Sequence, residues 1–289
     1  MKLNADNLER FSIIWSLILL TTASPLLLIV LLFGFLTADH RTSFHQESDS
    51  QSVTGIRRGT LSDTSVSPAI KSWRTMEGGL KFAQFETVFW DPKDTISMRS
   101  YLSNKERVQG RSVLEIGTGT GIVALTCLAA DPARVVALDI NPNAVANAQY
   151  NYEHLRSIDR LGLAQFEVRL VPEHQQNPFA VLQESERFDL IVSNPPWEDA
   201  AVESLADYAL YDLNFKLLRT LLDDSREFLK PGGELLLAYG CKSAIRRIKD
   251  QAPKFGWTVE TLDDRELSEL PEVFLPGMLL RLTQSKQQH

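Results

Sequence analysis

From residue 112 to residue 282 short apolar runs alternate with longer helix-like runs, and this alternation restricts the fold more than any other feature. Short runs rich in Val, Ile and Leu predict buried strands, and the longer runs predict helices. The predicted strands are 112–116, 134–138, 166–170, 189–192, 234–238, 257–262 and 278–282. The predicted helices are 122–130, 142–153, 213–229 and 243–254. This order predicts an α/β fold with an open, doubly wound, mostly parallel sheet.

A glycine-rich loop follows the first of these predicted strands. It reads Gly-Thr-Gly-Thr-Gly over residues 117–121 and leads into a predicted helix. Glycine takes positive φ and lets a ligand approach the backbone closely, and a helix N-terminus favours polar ligand groups. A dinucleotide fingerprint would need G-x-G-x-x-G, but Ile122 holds the place of its third glycine.

An acidic residue, Asp139, ends the next predicted strand. A carboxylate at this place can accept hydrogen bonds from both hydroxyls of a ribose. Alone it could equally be a helix cap or a surface residue. Together with the glycine loop it predicts an adenosine-bearing ligand.

A rigid loop, Asn194-Pro195-Pro196-Trp197, follows the strand at 189–192. A loop that only turned the chain would favour Gly, Asn, Asp or a single Pro. Two prolines stiffen the backbone that carries the amide and the flat ring. The loop therefore predicts a binding site for a planar chemical group. The alternative is a stiff strand exit with Trp197 packed in the core.

These motifs, VLEIGTGTG at 113–121, ALDINPNAV at 137–145 and DLIVSNPPW at 189–197, resemble the class I S-adenosylmethionine-dependent methyltransferases. More narrowly, they resemble the N-methyltransferase branch with an Asn-Pro-Pro-aromatic motif. The resemblance covers residues 82–282. Upstream, FETVFWDPKDT at 85–95 is similar to a segment of the enzymes that methylate the glutamine of peptide release factors. It departs from that segment, which usually has an Arg beside the Pro and an acid after the Thr, and Trp197 replaces the family's usual Tyr.

The resemblance implies a seven-stranded Rossmann-like methyltransferase sheet, S-adenosylmethionine as cofactor, and methyl transfer to a planar nitrogen. It implies that the Asn194 side-chain oxygen and the Pro195 carbonyl grip the two N–H bonds of that nitrogen. Pro196 would stiffen the turn, and Trp197 would cover the face of the flat group. The cofactor-binding residues that it implies are Glu115, Gly117, Thr118, Gly119, Gly121, Asp139, Ile140 and Asn194.

Several further residues are secondary candidates for the site. Glu115 would orient either the amino-acid end of the cofactor or the glycine loop, and Asn141 either belongs to the site or caps the following helix. Glu173 is displaced from the place where the family has an acid beside the adenine. The residues that follow the NPPW loop either line a substrate opening or lie on a helix surface, the second being favoured: Asp207, Tyr208, Tyr211 and Asp212.

The expected substrate is a protein side chain of the glutamine type. The alternatives are an adenine or guanine amino group of RNA or DNA, a small molecule, and a cofactor-binding protein without catalysis. Charge favours protein only slightly: the first 71 residues are balanced, so the net charge of −7 falls on the remainder, which lacks the basic footprint of a nucleic-acid binder. No metal is predicted, because the five histidines do not cluster, and both cysteines are predicted to be core thiols.

The N-terminal region predicts a membrane anchor. Residues 11–36 are uncharged and apolar, enough for one transmembrane helix, and the alternative is a signal peptide cut after Ala23 or Ala38. The predicted organisation is a short tail at 1–10, the transmembrane helix at 11–36, a flexible polar linker at 37–72 and the methyltransferase domain at 73–289. The protein is therefore predicted to be a single-pass membrane protein. Because the implied cofactor is a cytoplasmic metabolite, its methyltransferase domain is predicted to lie in the cytoplasm.

Overall fold

The structure, a computed structural model, describes residues 69–76 and 79–285, which belong to a unit spanning residues 64–289. The predicted tail, the predicted transmembrane helix at 11–36 and most of the predicted linker lie outside the described residues. Within those residues, no helix combines the length and the apolar character that crossing a bilayer requires. The first strand begins at Ile70, so the predicted domain boundary at residue 73 falls inside a strand.

The described residues form nine strands: β1 (Ile70–Thr75), β2 (Lys81–Phe85), β3 (Ser112–Ile116), β4 (Arg134–Asp139), β5 (Gln165–Leu170), β6 (Phe188–Ser193), β7 (Leu229–Cys241), β8 (Trp257–Thr261) and β9 (Val273–Gln284). Their α-helices are α1 (Ile96–Leu102), α2 (Lys105–Val108), α3 (Ile122–Leu128), α4 (Pro142–Ser157), α5 (Lys216–Phe228) and α6 (Lys242–Gln251). Short 3-10 turns occupy Pro178–Val181, Asp207–Ala209, Leu213–Phe215 and Ala252–Phe255.

Seven strands form the main sheet in the order β5-β4-β3-β6-β7-β9-β8. The four pairings among β3 to β7 are parallel, and only the two that β9 makes are antiparallel. The predicted α/β fold with a mostly parallel, seven-stranded sheet is therefore confirmed.

The chain reverses its direction of travel across this sheet between β3 and β6. From β3 it runs outward through β4 to β5, and then returns to β6 on the other side of β3. Ile116 at the end of β3 pairs with Leu138 of β4 and with Ser193 of β6, so three loops leave the sheet at one level. Ligands of open α/β sheets bind at such a switch point.

Apolar side chains cover both faces of the sheet. Because side chains alternate along a strand, Leu114 of β3 joins one core and its neighbour Val113 joins the other. The first core packs under α5 and α6, where Leu218 and Ile245 are fully buried. The second packs under α1, α3 and α4. The helices thus lie on both faces, and both cysteines are buried and free, as predicted.

A hairpin of β1 and β2 lies outside the main sheet, and the sequence did not indicate it. Its edge is fixed by two buried asparagines of α4. Asn151 Oδ1 accepts a hydrogen bond from the Ala83 backbone N–H at 2.8 Å, and Asn147 Oδ1 accepts one from the Phe85 N–H at 2.9 Å. The Asn151 amide also donates to the Thr120 carbonyl oxygen at 2.9 Å, which ties the hairpin to the glycine loop. This docking places residues 86–95 over the switch point.

The observed elements differ from the predicted ones mainly at their ends. The predicted helix at 213–229 begins with a 3-10 turn, and its α-helical part starts at Lys216. Asn214 and Phe215 both have positive φ there, which interrupts the helix. Strand β7 is much longer than the predicted 234–238, because pairing with β6 begins at Leu229 and pairing with β9 extends to Cys241.

Candidate active site

A cavity of about 690 Å³ opens at the carboxyl ends of the central strands. Its walls come from residues of six segments: 87–95, 115–123, 138–144, 171–178, 194–196 and 201–219. Its volume and its place at the switch point are typical of small-molecule sites in α/β proteins.

The glycine loop forms the floor of the cavity. Gly117 and Gly119 have φ of 80° and 54°, and a Cβ atom added to either would meet nothing within 4 Å. Their backbone is therefore open to the cavity, as a close-binding ligand requires. Gly121 differs, because it caps α3 and a Cβ atom there would lie 3.1 Å from Ala148. Gly121 does not line the cavity, and its approach to Ala148 favours a role in packing α3 on α4, so its cofactor contact stays a prediction.

Asp139 stands beside this loop at the end of β4, and its neighbour Ile140 also lines the cavity. The Asp139 carboxylate accepts hydrogen bonds from the backbone N–H groups of Gly119 at 2.8 Å and Asn141 at 2.9 Å. Desolvation at the cavity wall raises the pKa of Asp139, while these backbone donors oppose the rise. The position and the acceptor atoms fit the predicted ribose contact.

Glu115 and Thr118 hold the glycine loop from below. The buried Glu115 carboxyl accepts a hydrogen bond from the Thr118 hydroxyl at 2.5 Å and one from the Ala124 N–H at 3.2 Å. Burial raises the pKa of Glu115 to about 8. Of its two predicted roles, these contacts support the orientation of the loop.

Asn194, Pro195 and Pro196 line the cavity directly after β6, the strand that pairs with β3. The Asn194 amide nitrogen donates to Asp94 Oδ2 at 2.8 Å, and its oxygen accepts from the Trp197 indole N–H at 3.3 Å. The two motifs that the sequence suggested therefore line one cavity.

Trp197 does not line this cavity. Its ring packs against the core under α5 and α6, close to Gly240 and Gly277. The expectation that Trp197 covers the flat face of a substrate is not met in this structure, and the alternative of a core-packed ring describes it better. The ring still acts at the site through its N–H contact with Asn194.

The residues after the NPPW loop lie mostly at the cavity and not on a helix surface. Tyr208, Tyr211 and Asp212 line it, whereas Asp207 only closes a local turn by accepting from the backbone of Glu203 and Ser204. The Asp212 carboxylate also accepts from the N–H groups of Leu217 and Leu218, which fixes the start of α5.

Two other secondary candidates have structural contacts. Asn141 lines the cavity and also caps α4: its side-chain oxygen accepts from the Asn143 N–H, and its amide donates to the Thr87 carbonyl oxygen. Glu173 bonds the Tyr208 hydroxyl at 3.3 Å and does not line the cavity.

Asp94 is a site residue that the sequence reasoning did not assign. It is 7% exposed, lines the cavity and contacts Asn194. Burial raises the pKa of Asp94 to about 7. The signal was present in the DPKDT segment, but its departure from the release-factor pattern hid the role of this acid.

The cavity fits S-adenosylmethionine. The open glycine backbone provides a surface for close contact, and the Asp139 carboxylate provides acceptors for hydroxyl groups. Among the described residues no cluster of three or more His, Cys, Asp or Glu side chains could hold a metal ion.

Comparison with known proteins agrees with this geometry. The chain is 35% identical over 152 residues to the release factor glutamine methyltransferase of Salmonella typhimurium, covering 47% of this chain and 50% of that protein. It is 31% identical over 142 residues to a tRNA1(Val) (adenine(37)-N6)-methyltransferase of Vibrio campbellii, covering 47% and 53%. The chain thus spans about half the length of these curated relatives.

Among solved structures, the T. thermophilus 16S rRNA N2 G1207 methyltransferase, in complex with AdoMet and guanosine, shares the fold. Its TM-score is 0.50 at 19% identity, and the match covers 76% of this chain and 52% of that one. The family model of the methyltransferase small domain matches residues 81–252, more than half of the sequence. The resemblance predicted from the motifs is confirmed, and the chain belongs to the methyltransferase small domain family.

Proposed function

We propose that this protein is an S-adenosylmethionine-dependent N-methyltransferase whose acceptor is a planar nitrogen of a protein side chain of the glutamine type. The observation that carries the proposal is that Asn194 and Pro195 line the same cavity as the glycine loop and Asp139. When bound, S-adenosylmethionine supplies an electrophilic methyl group on a sulfonium sulfur.

The acceptor chemistry explains why an amide and a carbonyl are needed. A planar amide nitrogen is a poor nucleophile, because its lone pair is delocalised. The Asn194 oxygen and the Pro195 carbonyl would accept hydrogen bonds from the two N–H groups of the substrate nitrogen and so fix the orientation of that nitrogen. Positioning of this kind supplies much of the rate in transfers that need no prior proton removal. The two prolines keep the separation of these acceptors fixed.

The charge beside the cavity supports a protein substrate. The rim segment, residues 198–212, contributes several cavity-lining residues, and it contains five acidic residues and no Lys or Arg. A polyanion would be repelled there, since nucleic-acid binders usually neutralise phosphates with basic side chains. Two basic residues, Lys216 and Arg219, also line the cavity. The repulsion of a polyanion is therefore confined to the rim segment.

Methylation of a nucleic-acid base is the second candidate. The relative from Vibrio campbellii is named as a tRNA adenine-N6 enzyme, and its identity to this chain is close to that of the glutamine methyltransferase. An exocyclic amino group presents the same two N–H bonds as a glutamine amide. To separate the candidates, the full chain would be incubated with methyl-labelled S-adenosylmethionine and a cell extract. Label in protein supports the proposal, and label in RNA, DNA or small molecules contradicts it.

The role of Asn194 has a direct test. Asn194→Ala should lower methyl transfer by about 100-fold, in the range for removal of one oriented polar group from a catalytic site. Calorimetry should find the affinity for S-adenosylhomocysteine nearly unchanged. Asn104→Ala is the matched control, because Asn104 caps α2 outside the cavity. Equal loss of transfer and cofactor affinity in Asn194→Ala would contradict the assignment.

The membrane anchor at residues 11–36 and the cytoplasmic placement of the domain stay predictions. Protease protection in membrane vesicles tests both. A domain that is protected on the side away from the cytoplasm would contradict the placement, and a chain that stays in the aqueous fraction would contradict the anchor.

A further inference from the structure

We propose that Asp94 is a positioning residue that holds the Asn194 amide in the one orientation that presents its oxygen to the substrate nitrogen. This inference rests on the proposed role of Asn194. It concerns a residue from the loop before the main sheet, far from the NPPW loop in sequence but joined to it by a 2.8 Å hydrogen bond.

The two contacts of the Asn194 side chain are of opposite kinds. Asp94 offers an acceptor to the amide nitrogen, and Trp197 offers an N–H donor to the amide oxygen. If the amide were flipped, its NH₂ group would face the indole N–H and its oxygen would face the carboxylate. Only the observed orientation satisfies both neighbours. An amide oxygen can accept two hydrogen bonds, so the Asn194 oxygen can still accept one from a substrate.

Asp94 is itself held from several sides. Its backbone carbonyl accepts from the Gly277 N–H of β9 at 3.1 Å, and its backbone N–H donates to the Asp91 carbonyl at 3.3 Å. The next residue, Thr95, is buried and is the N-cap residue of α1. The backbone that carries the Asp94 carboxylate is thus fixed to β9 and lies directly before α1. A support of this kind is what keeps a reactive group in its productive geometry.

Burial of the Asp94 carboxylate costs free energy, which a hydrogen bond with only a structural role would not require. A carboxyl group that is 7% exposed loses most of its hydration, and Asp91 adds like-charge repulsion, both of which raise the pKa of Asp94. A neutral acceptor could satisfy one amide N–H at less cost. The carboxylate is the stronger acceptor, and it cannot donate, so it excludes the flipped amide more firmly when ionised.

The test compares two substitutions of one residue in the full chain. Asp94→Asn keeps an acceptor oxygen, whereas Asp94→Leu has a similar size and no acceptor. We expect Asp94→Leu to lower the turnover number for transfer to the extract proteins by about 10- to 100-fold, the loss expected for a hydrogen bond to a charged group. Asp94→Asn should stay within about threefold of the parent, and both should bind S-adenosylhomocysteine as the parent does.

A second readout does not need methyl transfer. In the parent labelled with ¹⁵N-asparagine, the Asn194 side-chain NH₂ signals, assigned by their loss in Asn194→Ala, should be slow to exchange with water. They should stay slow in Asp94→Asn and become fast in Asp94→Leu. The control is Asp189→Leu, which removes hydrogen bonds to Ser112 and Lys230 at the opposite end of β6. Its Asn194 signals and transfer rate should match those of the parent.

The outcomes divide cleanly. Unchanged exchange and unchanged transfer in Asp94→Leu would overturn the inference. Equal loss of transfer in Asp94→Asn and Asp94→Leu would also overturn it, since it would assign the carboxylate a proton-accepting role. If the parent transfers no methyl group to any acceptor, the proposed function fails, and the exchange experiment still decides whether Asp94 orients Asn194.

Discussion

The Trp197 indole fills the space that a side chain at Gly240 would need. A Cβ atom on Gly240 would lie 2.4 Å from Cζ3 of Trp197 and 2.4 Å from the carbonyl oxygen of Phe274. A Cβ atom on Gly277 would lie 3.4 Å from Cζ2 of the same ring. Gly240 and Gly277 belong to the paired strands β7 and β9, so these strands provide a slot for the ring that supports Asn194.

Gly240→Ala should therefore disturb both the core and the site. The added methyl group must displace the indole or the backbone of β9, which costs about 1–3 kcal/mol in unfolding free energy. Displacing the indole should also lower methyl transfer. Gly232→Ala is the control for a glycine with open space around it: unlike Gly240, Gly232 has a positive φ of 77°, so its substitution should cost about 1–2 kcal/mol from backbone strain alone and leave the transfer rate unchanged. Urea unfolding and transfer assays measure the two effects. A Gly240→Ala variant with the parent's transfer rate would contradict the proposed support of Asn194 by the Trp197 ring.

Trp197→Phe separates support from substrate contact. Phenylalanine keeps an apolar ring in the slot and removes the N–H donor to Asn194. We expect the turnover number to fall by about three- to tenfold, as for loss of one hydrogen bond of about 1 kcal/mol, with the KM for the acceptor unchanged. If the ring instead stacked on the substrate, Phe would preserve the turnover number, and only Trp197→Leu would raise the KM.

The motifs at the sheet edge were predictable because each is local. The run at 112–116 is mostly apolar and is followed by a glycine, so β3 and the loop after it could be placed from the sequence alone. The register of parallel strands then brings Gly117, Asp139 and Asn194 to one edge, whatever the rest of the chain does. Nine of the eleven predicted site residues line the cavity for this reason, and only Gly121 and Trp197 do not.

The unpredicted features depend on partners far along the chain. The strands β1 and β2 are short and partly polar, and the hairpin is held by the Asn147 and Asn151 side chains of α4. The place of Trp197 depends on glycines of β7 and β9, and the role of Asp94 depends on its approach to Asn194. Neither periodicity nor local motif carries such information.

Asp139→Ala should weaken cofactor binding more than catalysis. It removes the acceptor beside the glycine loop, and the Gly119 N–H loses the carboxylate to which it donates a hydrogen bond. Loss of hydrogen bonds to a charged group predicts an affinity for S-adenosylhomocysteine that is lower by about 10- to 100-fold. Turnover at saturating cofactor should change little. Asp250→Ala, at the exposed end of α6, is the control. Calorimetry that finds unchanged affinity in Asp139→Ala would remove this residue from the cofactor site.

Glu115 should make the stability of the domain depend on pH. Burial raises the pKa of Glu115 from 4.5 to about 8 in the folded chain. Between these two values the folded chain keeps a proton that the unfolded chain has released. The free energy of unfolding therefore falls as pH rises through this window, and the loss is complete above about pH 8.

Glu115→Gln places a permanently neutral amide where the folded chain holds a protonated carboxyl group, so this contribution should vanish. Between pH 6 and pH 8 the parent should lose roughly 2 kcal/mol of unfolding free energy more than the variant does. Urea unfolding at several pH values measures both curves, and the difference between them cancels Asp94, whose raised pKa acts in the same direction. The amide oxygen can still accept from Thr118 and Ala124, so the glycine loop should keep its shape. Parallel curves for parent and variant would mean that Glu115 is ionised in the folded chain at neutral pH.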